Sequence, residues 1–356
     1  MTARNTTIDT TKGLGIILIV IGHNSLMGFF NYTELTGIIF SFHVPLFFFL
    51  SGVFLEETVN SSSFLLSRAD SLLKPFFVVL ITLGILKLII SISTGLVAAP
   101  TLQYIIGVFW ANGITIAWPP LWFLPNLFIA SFFALSFIKA TKNLSTIYQL
   151  VLILVMLLVG IYFIDFFWYP VIFINAPVKI DSLPGLPWGL DISLITSAFV
   201  LIGYVCREQV INFSFRLIAF SISIIVFSLT HYFFNETVDL NMRIYGNPMI
   251  STIQAITGIY ITLSVAVLTN RYNFSKNIFI YLGSGSLFIL LFHSSPQGKI
   301  FKFLSAVNDY PLLNGLISFI AAIVFSIILW EIAKRQKNIG SLLLPKKYKV
   351  LNRGVR

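Results

Sequence analysis

Charge is what this sequence has least of. Only 10% of its 356 residues are Asp, Glu, Lys or Arg, against about 25% in a soluble domain. No polar stretch exceeds about two dozen residues, which leaves no room for a soluble domain of useful size. Cysteine is nearly absent. Cys206 stands alone, which excludes an internal disulfide and any multi-cysteine metal site, and it reads as a small buried apolar residue. A convincing signal peptide is missing: the apolar run after Lys12 is about 18 residues long, and no small-x-small cleavage site follows it. There is no Walker A sequence and no Rossmann glycine fingerprint, so NTP hydrolysis and dinucleotide redox chemistry are not indicated. No internal repeat stands out.

What is present is hydrophobicity, at 57% of residues and a mean hydropathy of +0.92. Apolar runs fall near 13–30, 38–55, 76–94, 121–138, 147–167, 191–206, 217–234, 251–269, 278–293 and 311–333. The expected fold class is an all-α polytopic membrane protein of about ten transmembrane helices. Charge supplies the orientation. Alternate connecting segments hold 18 of the 23 Lys and Arg residues, while the others hold Lys179, Arg243, Lys299 and Lys302, and Lys87 lies inside the third run. The positive-inside rule then places both termini in the cytoplasm. The net charge of +10 is mostly this asymmetry. The basic tail at 341–356 reads as a topology anchor against anionic lipid, with nothing to support nucleic-acid binding.

Two outer connections are long. Residues 95–120 contain an apolar piece that reads as interfacial or re-entrant, ending in Pro119-Pro120. Residues 168–190 are punctuated by Pro170, Pro177, Pro184 and Pro187. The outer tryptophans and tyrosines, Trp122 among them, fit either an interfacial belt or a surface on which sugar rings stack.

The chemistry concentrates between Asp9 and Gly52, in DTTKGLGIILIVIGHN and FSFHVPLFFFLSG. Lys12 precedes His23 by eleven residues, roughly 16 Å along a helix, about half a hydrocarbon core. Ionisable groups at that depth are functional candidates. His23 and His43 fall at similar depth in the outer half. A neutral imidazole there suits general-base work, removing a proton from a hydroxyl as it attacks an activated acyl carbonyl. It equally suits an interhelical hydrogen bond that fixes packing. His231 and His293 fall at the outer ends of their runs. The four histidines show no ligand spacing for a metal, and no carboxylate lies inside the first two runs. On the cytoplasmic face Lys12, Arg68 and Lys74 could hold phosphates or could serve topology alone. Lys87 is left between snorkelling outward and facing an internal passage.

These residues form a recognisable set. D-x-x-K-G leading to Gly22-His23, then FHVPLFFFLSG, then R-x(6)-P from Arg68 to Pro75, with LWFLPNLF at 121–128 and LFHSS at 291–295, resembles the acyltransferase-3 family of integral membrane acyltransferases. Within it the chain is most similar to the fucose-4-O-acetylase-like and surface-polysaccharide O-acetyltransferases, which tend to carry Lys at the start of the first span. The resemblance implies a transmembrane acyltransferase domain over residues 1–340, in a bacterial cytoplasmic membrane. It implies acetyl-CoA or another acyl-CoA as cytosolic donor, and a glycan or lipid-linked sugar acceptor on the outer side. His23 matches the family's essential histidine, with His43 in support. Lys12 stands where many members have arginine. Arg68 matches the first basic residue of an R-x-x-R whose second falls on Ser71, with Lys74 as a substitute charge. Trp122 and His293 would line the acceptor entrance, and no metal is expected. A transporter or flippase for a glycan or small polar solute is the rival from another class. Transporters often show paired broken helices in two repeated halves, a pattern this sequence does not display.

Overall fold

Asn5 opens the first helix, Thr6–Gly22, by accepting a hydrogen bond from the Ile8 amide at 3.0 Å. Asp9 in the first turn complements the helix dipole. The computed structural model describes residues 5–29, 33–58, 60–95, 102–168, 184–234 and 236–346, and it is built almost wholly of helices. The one sheet among the described residues is an antiparallel hairpin, Val238–Asp239 against Ile244–Tyr245. Pro170, Pro177, Lys179 and the part of the basic tail at 347–356, singled out above, lie outside the described residues.

Six helical stretches are long and apolar enough to cross a bilayer: Glu34–Gly52, Ser61–Thr94, Pro119–Thr141, Pro187–Val205, Pro248–Thr269 and Pro311–Arg335. Asn273–Ser284 and Ser286–Phe292, bent by 60°, make a seventh if taken as one span. Thr146–Tyr162 and Leu217–Phe233 are apolar but shorter. The first helix has 17 residues, about 25 Å. Each of the ten apolar runs falls on one of these elements, but length and composition qualify only six or seven as spans. Large apolar side chains such as Ile85, Ile89, Leu154 and Ile225 point outward, an arrangement stable against lipid and costly against water.

Small residues bring the site's helices together. A Cβ on Gly13 would strike the Phe279 carbonyl, and one on Gly283 would strike that of Asp9. The first helix therefore lies backbone against backbone on Asn273–Ser284. Gly52 against Val200 and Gly203 against Phe49 do the same for His43–Gly52 and Ser193–Val205. Lipid tails compete for apolar side chains as well as a neighbouring helix does, so close backbone approach is what favours association.

Two irregularities interrupt the helices. Ser61–Arg68 passes through a π-helical turn, Ala69–Leu73, into Lys74–Thr94, an element frequent at functional sites. The bend after Ser284 centres on Gly285, which packs on Trp330.

At one end of the helices the loops are tied into a cap. Leu102–Trp110 has nine residues, too few to cross. Trp110 Nε1 and Asn112 Nδ2 both donate to the Pro184 carbonyl, at 3.1 and 3.0 Å. Trp188 Nε1 donates to Phe109 O at 2.8 Å. Arg243 makes a bidentate ion pair with Asp191, at 2.8 and 2.9 Å, with both side chains buried.

Candidate active site

A cavity of about 480 Å³ runs between the first helix, His43–Gly52, the helix entered through Pro119–Trp122, and the bent pair. Its lining changes character along its length. Asp9, Lys12 and Arg68 stand at one end, and His23, His43 and Trp122 at the other. Ile16, Ile19, Leu50, Leu127 and Leu287 are among the apolar residues of the wall. Gly283, Ser284 and Ser286 at the bend also face it. Irregular backbone at membrane depth is tolerated where it lines such a space.

Lys12 is half-buried, with its ammonium over the Phe54 ring at 5.6 Å. Arg68, the last residue before the π turn, lies over Phe64 at 5.1 Å and also lines the cavity. Lys74 is directed elsewhere. Its ammonium is 2.7 Å from Asp70 Oδ1 and 2.7 Å from the Leu344 carbonyl oxygen. Asp70 also accepts from the Lys346 amide at 2.7 Å. Lys74 therefore holds the C-terminal segment and is not among the cavity's lining residues. Lys87 is exposed beside Tyr104, at 5.5 Å, and away from the cavity, which resolves it as an outward-facing side chain.

The four histidines share one device. The Nδ1 of His23, His43, His231 and His293 lies 3.0, 2.9, 2.7 and 2.7 Å from the carbonyl oxygen of residue i−4. A carbonyl only accepts, so each Nδ1 carries the hydrogen, and in the neutral ring Nε2 keeps the lone pair. His23 ends the first helix as its C-cap, and its exposed ring opens onto the cavity. Its ring stacks on Phe40 at 5.8 Å and meets His293 edge to face at 5.5 Å. His43 is buried and packs on Phe40 at 4.7 Å. His231 Nε2 lies 3.2 Å from Ser41 Oγ. His293 is fully buried, and its Nε2 has no hydrogen-bond partner among the described residues. Trp122 is buried at the Pro119–Trp122 turn, against Phe123.

Pattern reading missed one charged neighbour. Asp239, on the Val238–Tyr245 hairpin, lies within electrostatic reach of His23. Burial pushes its carboxyl up, opposed by the Met242 and Asn241 amides, His23 and Arg243. Nothing near Asp239 in sequence signals this, because the tertiary fold creates the proximity. The bend at 283–286 had a visible signal in its Gly-Ser-Gly-Ser run. No group of three or more His, Cys, Asp or Glu able to hold a metal occurs among the described residues.

Set beside known proteins, residues 5–331 match a family model described as an acyltransferase domain, acyltransferase-3. No curated protein matches the chain.

Proposed function

The chain belongs to the acyltransferase-3 family, and from that premise we propose that it moves an acetyl group from cytosolic acetyl-CoA to a hydroxyl of a cell-surface glycan or its lipid-linked precursor. The observation that carries this reading is the single cavity joining Lys12 and Arg68 to His23 and His43. Its basic end suits the phosphates of a CoA donor, which charge-assisted hydrogen bonds hold well. Its apolar wall suits an extended pantetheine arm. The axial span of roughly 16 Å between Lys12 and His23 then delivers the thioester to the imidazole.

At that point His23 Nε2 takes the proton of the acceptor hydroxyl while the hydroxyl oxygen attacks the thioester carbonyl carbon. The tetrahedral intermediate collapses with cleavage of the C–S bond. The leaving thiolate takes the proton back from the imidazolium, which restores neutral His23 and releases CoA as the thiol. An acyl-histidine route would use the same nitrogen, with Nε2 attacking the carbonyl first. The bare Nε2 set by the Ile19 contact supports both routes. Trp122 lies where a sugar ring could stack near the outer end of the cavity. Both termini in the cytoplasm and a bacterial inner-membrane location complete the reading, on the charge asymmetry of the sequence.

The test is transfer of label from radiolabelled acetyl-CoA into cell-surface glycan, for the wild type and His23→Ala at matched membrane levels. Label that requires His23 supports the reading. Full transfer by His23→Ala removes the histidine mechanism. No transfer by the wild type across several glycans and acyl donors moves the weight to a transporter.

A further inference from the structure

We infer that Gln297 is a positioning residue for this transfer: from near the other end of the sequence its amide caps the first helix and holds His23 just outside that helix, with the imidazole facing the cavity. The inference rests on the acyl-transfer reading above.

The carbonyls that end an α-helix run out of ladder partners. In the first helix Ile19 O still has one, the His23 amide at 3.1 Å, and also takes the hydrogen of His23 Nδ1 at 3.0 Å. The Asn24 amide would serve Val20 O if the helix continued, but it goes to Ile21 O at 2.9 Å. Val20 O is supplied from outside instead. Gln297 Nε2 donates to it at 3.0 Å, in a buried contact that bridges 277 positions of sequence. A carbonyl only accepts, so the NH2 of the amide must face it.

This pairing decides the backbone of His23. With Val20 O engaged by Gln297, the Asn24 amide stays on Ile21 O and His23 sits at φ −96°, ψ 7°, in the bridge region outside the helix. Without Gln297, the Asn24 amide is the donor that the ladder offers Val20 O. Taking it would draw His23 into the helix, at about φ −63°, ψ −42°, and swing the imidazole away from its present place in the cavity wall.

The surroundings fit that role. Gln297 is fully buried and lies one turn after His293 on the helix Ser294–Val307, its own backbone amide bonding the His293 carbonyl at 3.1 Å. One turn of this helix therefore meets the His23 ring edge to face, through His293 at 5.5 Å, and caps the helix that carries it, through Gln297. On the other side of His23, Asn24 Nδ2 donates to the Gly315 carbonyl at 3.0 Å and ties the next residue to Pro311–Arg335. Amides hold His23 from both sides without the cost of a charge at membrane depth. In the transfer itself Gln297 forms no bond to donor or acceptor, and the proton path through His23 Nε2 is as above.

The experiment measures label transfer from radiolabelled acetyl-CoA to host cell-surface glycan in membrane vesicles, for the wild type, Gln297→Met, Gln297→His and His23→Ala. Rates are divided by the number of acetyl-CoA sites titrated in the same vesicles. Methionine matches glutamine in length and removes the N–H; histidine restores an N–H at similar reach. The expected result for Gln297→Met is a kcat per site about tenfold to a hundredfold lower, the scale of a small misplacement of a reacting group. KM for acetyl-CoA stays unchanged, and Gln297→His recovers part of the rate. Gln297→Asn, whose amide falls one methylene short of Val20 O, stands in with the same expected loss if Gln297→Met fails to accumulate. Failure of both to accumulate overturns the proposal, since Gln297 then serves folding alone. A wild-type kcat per site in Gln297→Met, beside an inactive His23→Ala, overturns the role of Gln297 and leaves the acyl-transfer reading standing. Fewer sites with an unchanged kcat per site also overturn it, as a purely structural role would give that result, and so does an equal loss in Gln297→His. A wild type that transfers nothing overturns both.

Discussion

His23 and His293 meet edge to face, with ring centroids 5.5 Å apart. They come from opposite ends of the sequence, one closing the first helix and one following the bent pair. Each has its Nδ1 fixed by a backbone carbonyl, so the two rings bring two bare Nε2 atoms into one region. His293→Phe keeps an aromatic ring in that contact and removes the nitrogen. The expected outcome is a membrane protein of near wild-type abundance with acetyl transfer weaker by about fivefold to 150-fold, since an unpartnered buried acceptor awaiting a donor is worth about 1–3 kcal/mol. Transfer kinetics at varied acceptor concentration check it, and an unchanged rate would leave His293 a packing residue.

Lys12 and Arg68 share the end of the cavity away from His23. If they hold donor phosphates, Lys12→Met and Arg68→Met each raise KM for acetyl-CoA by about tenfold to a hundredfold, the range of one charge-assisted hydrogen bond. Both variants should then use acetyl-pantetheine, which lacks those phosphates, about as well as the wild type does. Equal losses with the two donors would count against phosphate binding.

Lys74 gives the contrasting case. Its ammonium is engaged by Asp70 and the Leu344 carbonyl. Lys74→Met is expected to leave KM for acetyl-CoA within about twofold and to loosen the C-terminal segment. The ion pair keeps some contact with solvent, at 23% and 18% side-chain exposure, so the stability change should stay at about 0–1 kcal/mol. Protease cleavage near residue 344 reports the loosening, and donor kinetics report the rest.

The buried Arg243–Asp191 pair supports a double-variant test. Arg243→Met strands a buried carboxylate and is expected to cost about 3–5 kcal/mol. The double change Arg243→Met with Asp191→Asn leaves no orphaned charge and should be milder. Thermal unfolding in detergent compares the two, and additive losses would mean that the charges are not coupled.

Gly13 faces the Phe279 carbonyl without room for a Cβ. Gly13→Val must push the first helix away from Asn273–Ser284, which carries Lys12 and His23 out of register with the bend. The expected cost is about 1–3 kcal/mol of stability, together with loss of transfer. Melting temperature and activity in the same membrane preparation measure both.

Much of this molecule was legible in one dimension. Low charge and long apolar runs fix a helical membrane protein, because a bilayer leaves backbone amides no other partner. Lys12, His23, His43, Arg68 and Trp122 stood out as polar or amphipathic groups in or beside apolar runs, each also open to a packing, topology or interfacial reading, and all five line one cavity. Lys74 carries the same charge as Arg68 and sits six residues on, but the intervening π turn and Asp70 decide where each points. Such choices depend on side-chain direction, which composition does not encode. Ten apolar runs likewise give only six or seven helices long enough to cross, since three of the helices fall short of the length of the rest. What the sequence by itself determined is the solvent this protein lives in and the chemical types along its first two helices. What only the tertiary structure decided is the company His23 keeps: His293 from beyond the bent pair and Asp239 from the Val238–Tyr245 hairpin. Neither has a local signal, because each reaches His23 through the packing of distant helices, and electrostatic proximity across such a gap is a property of the folded chain alone.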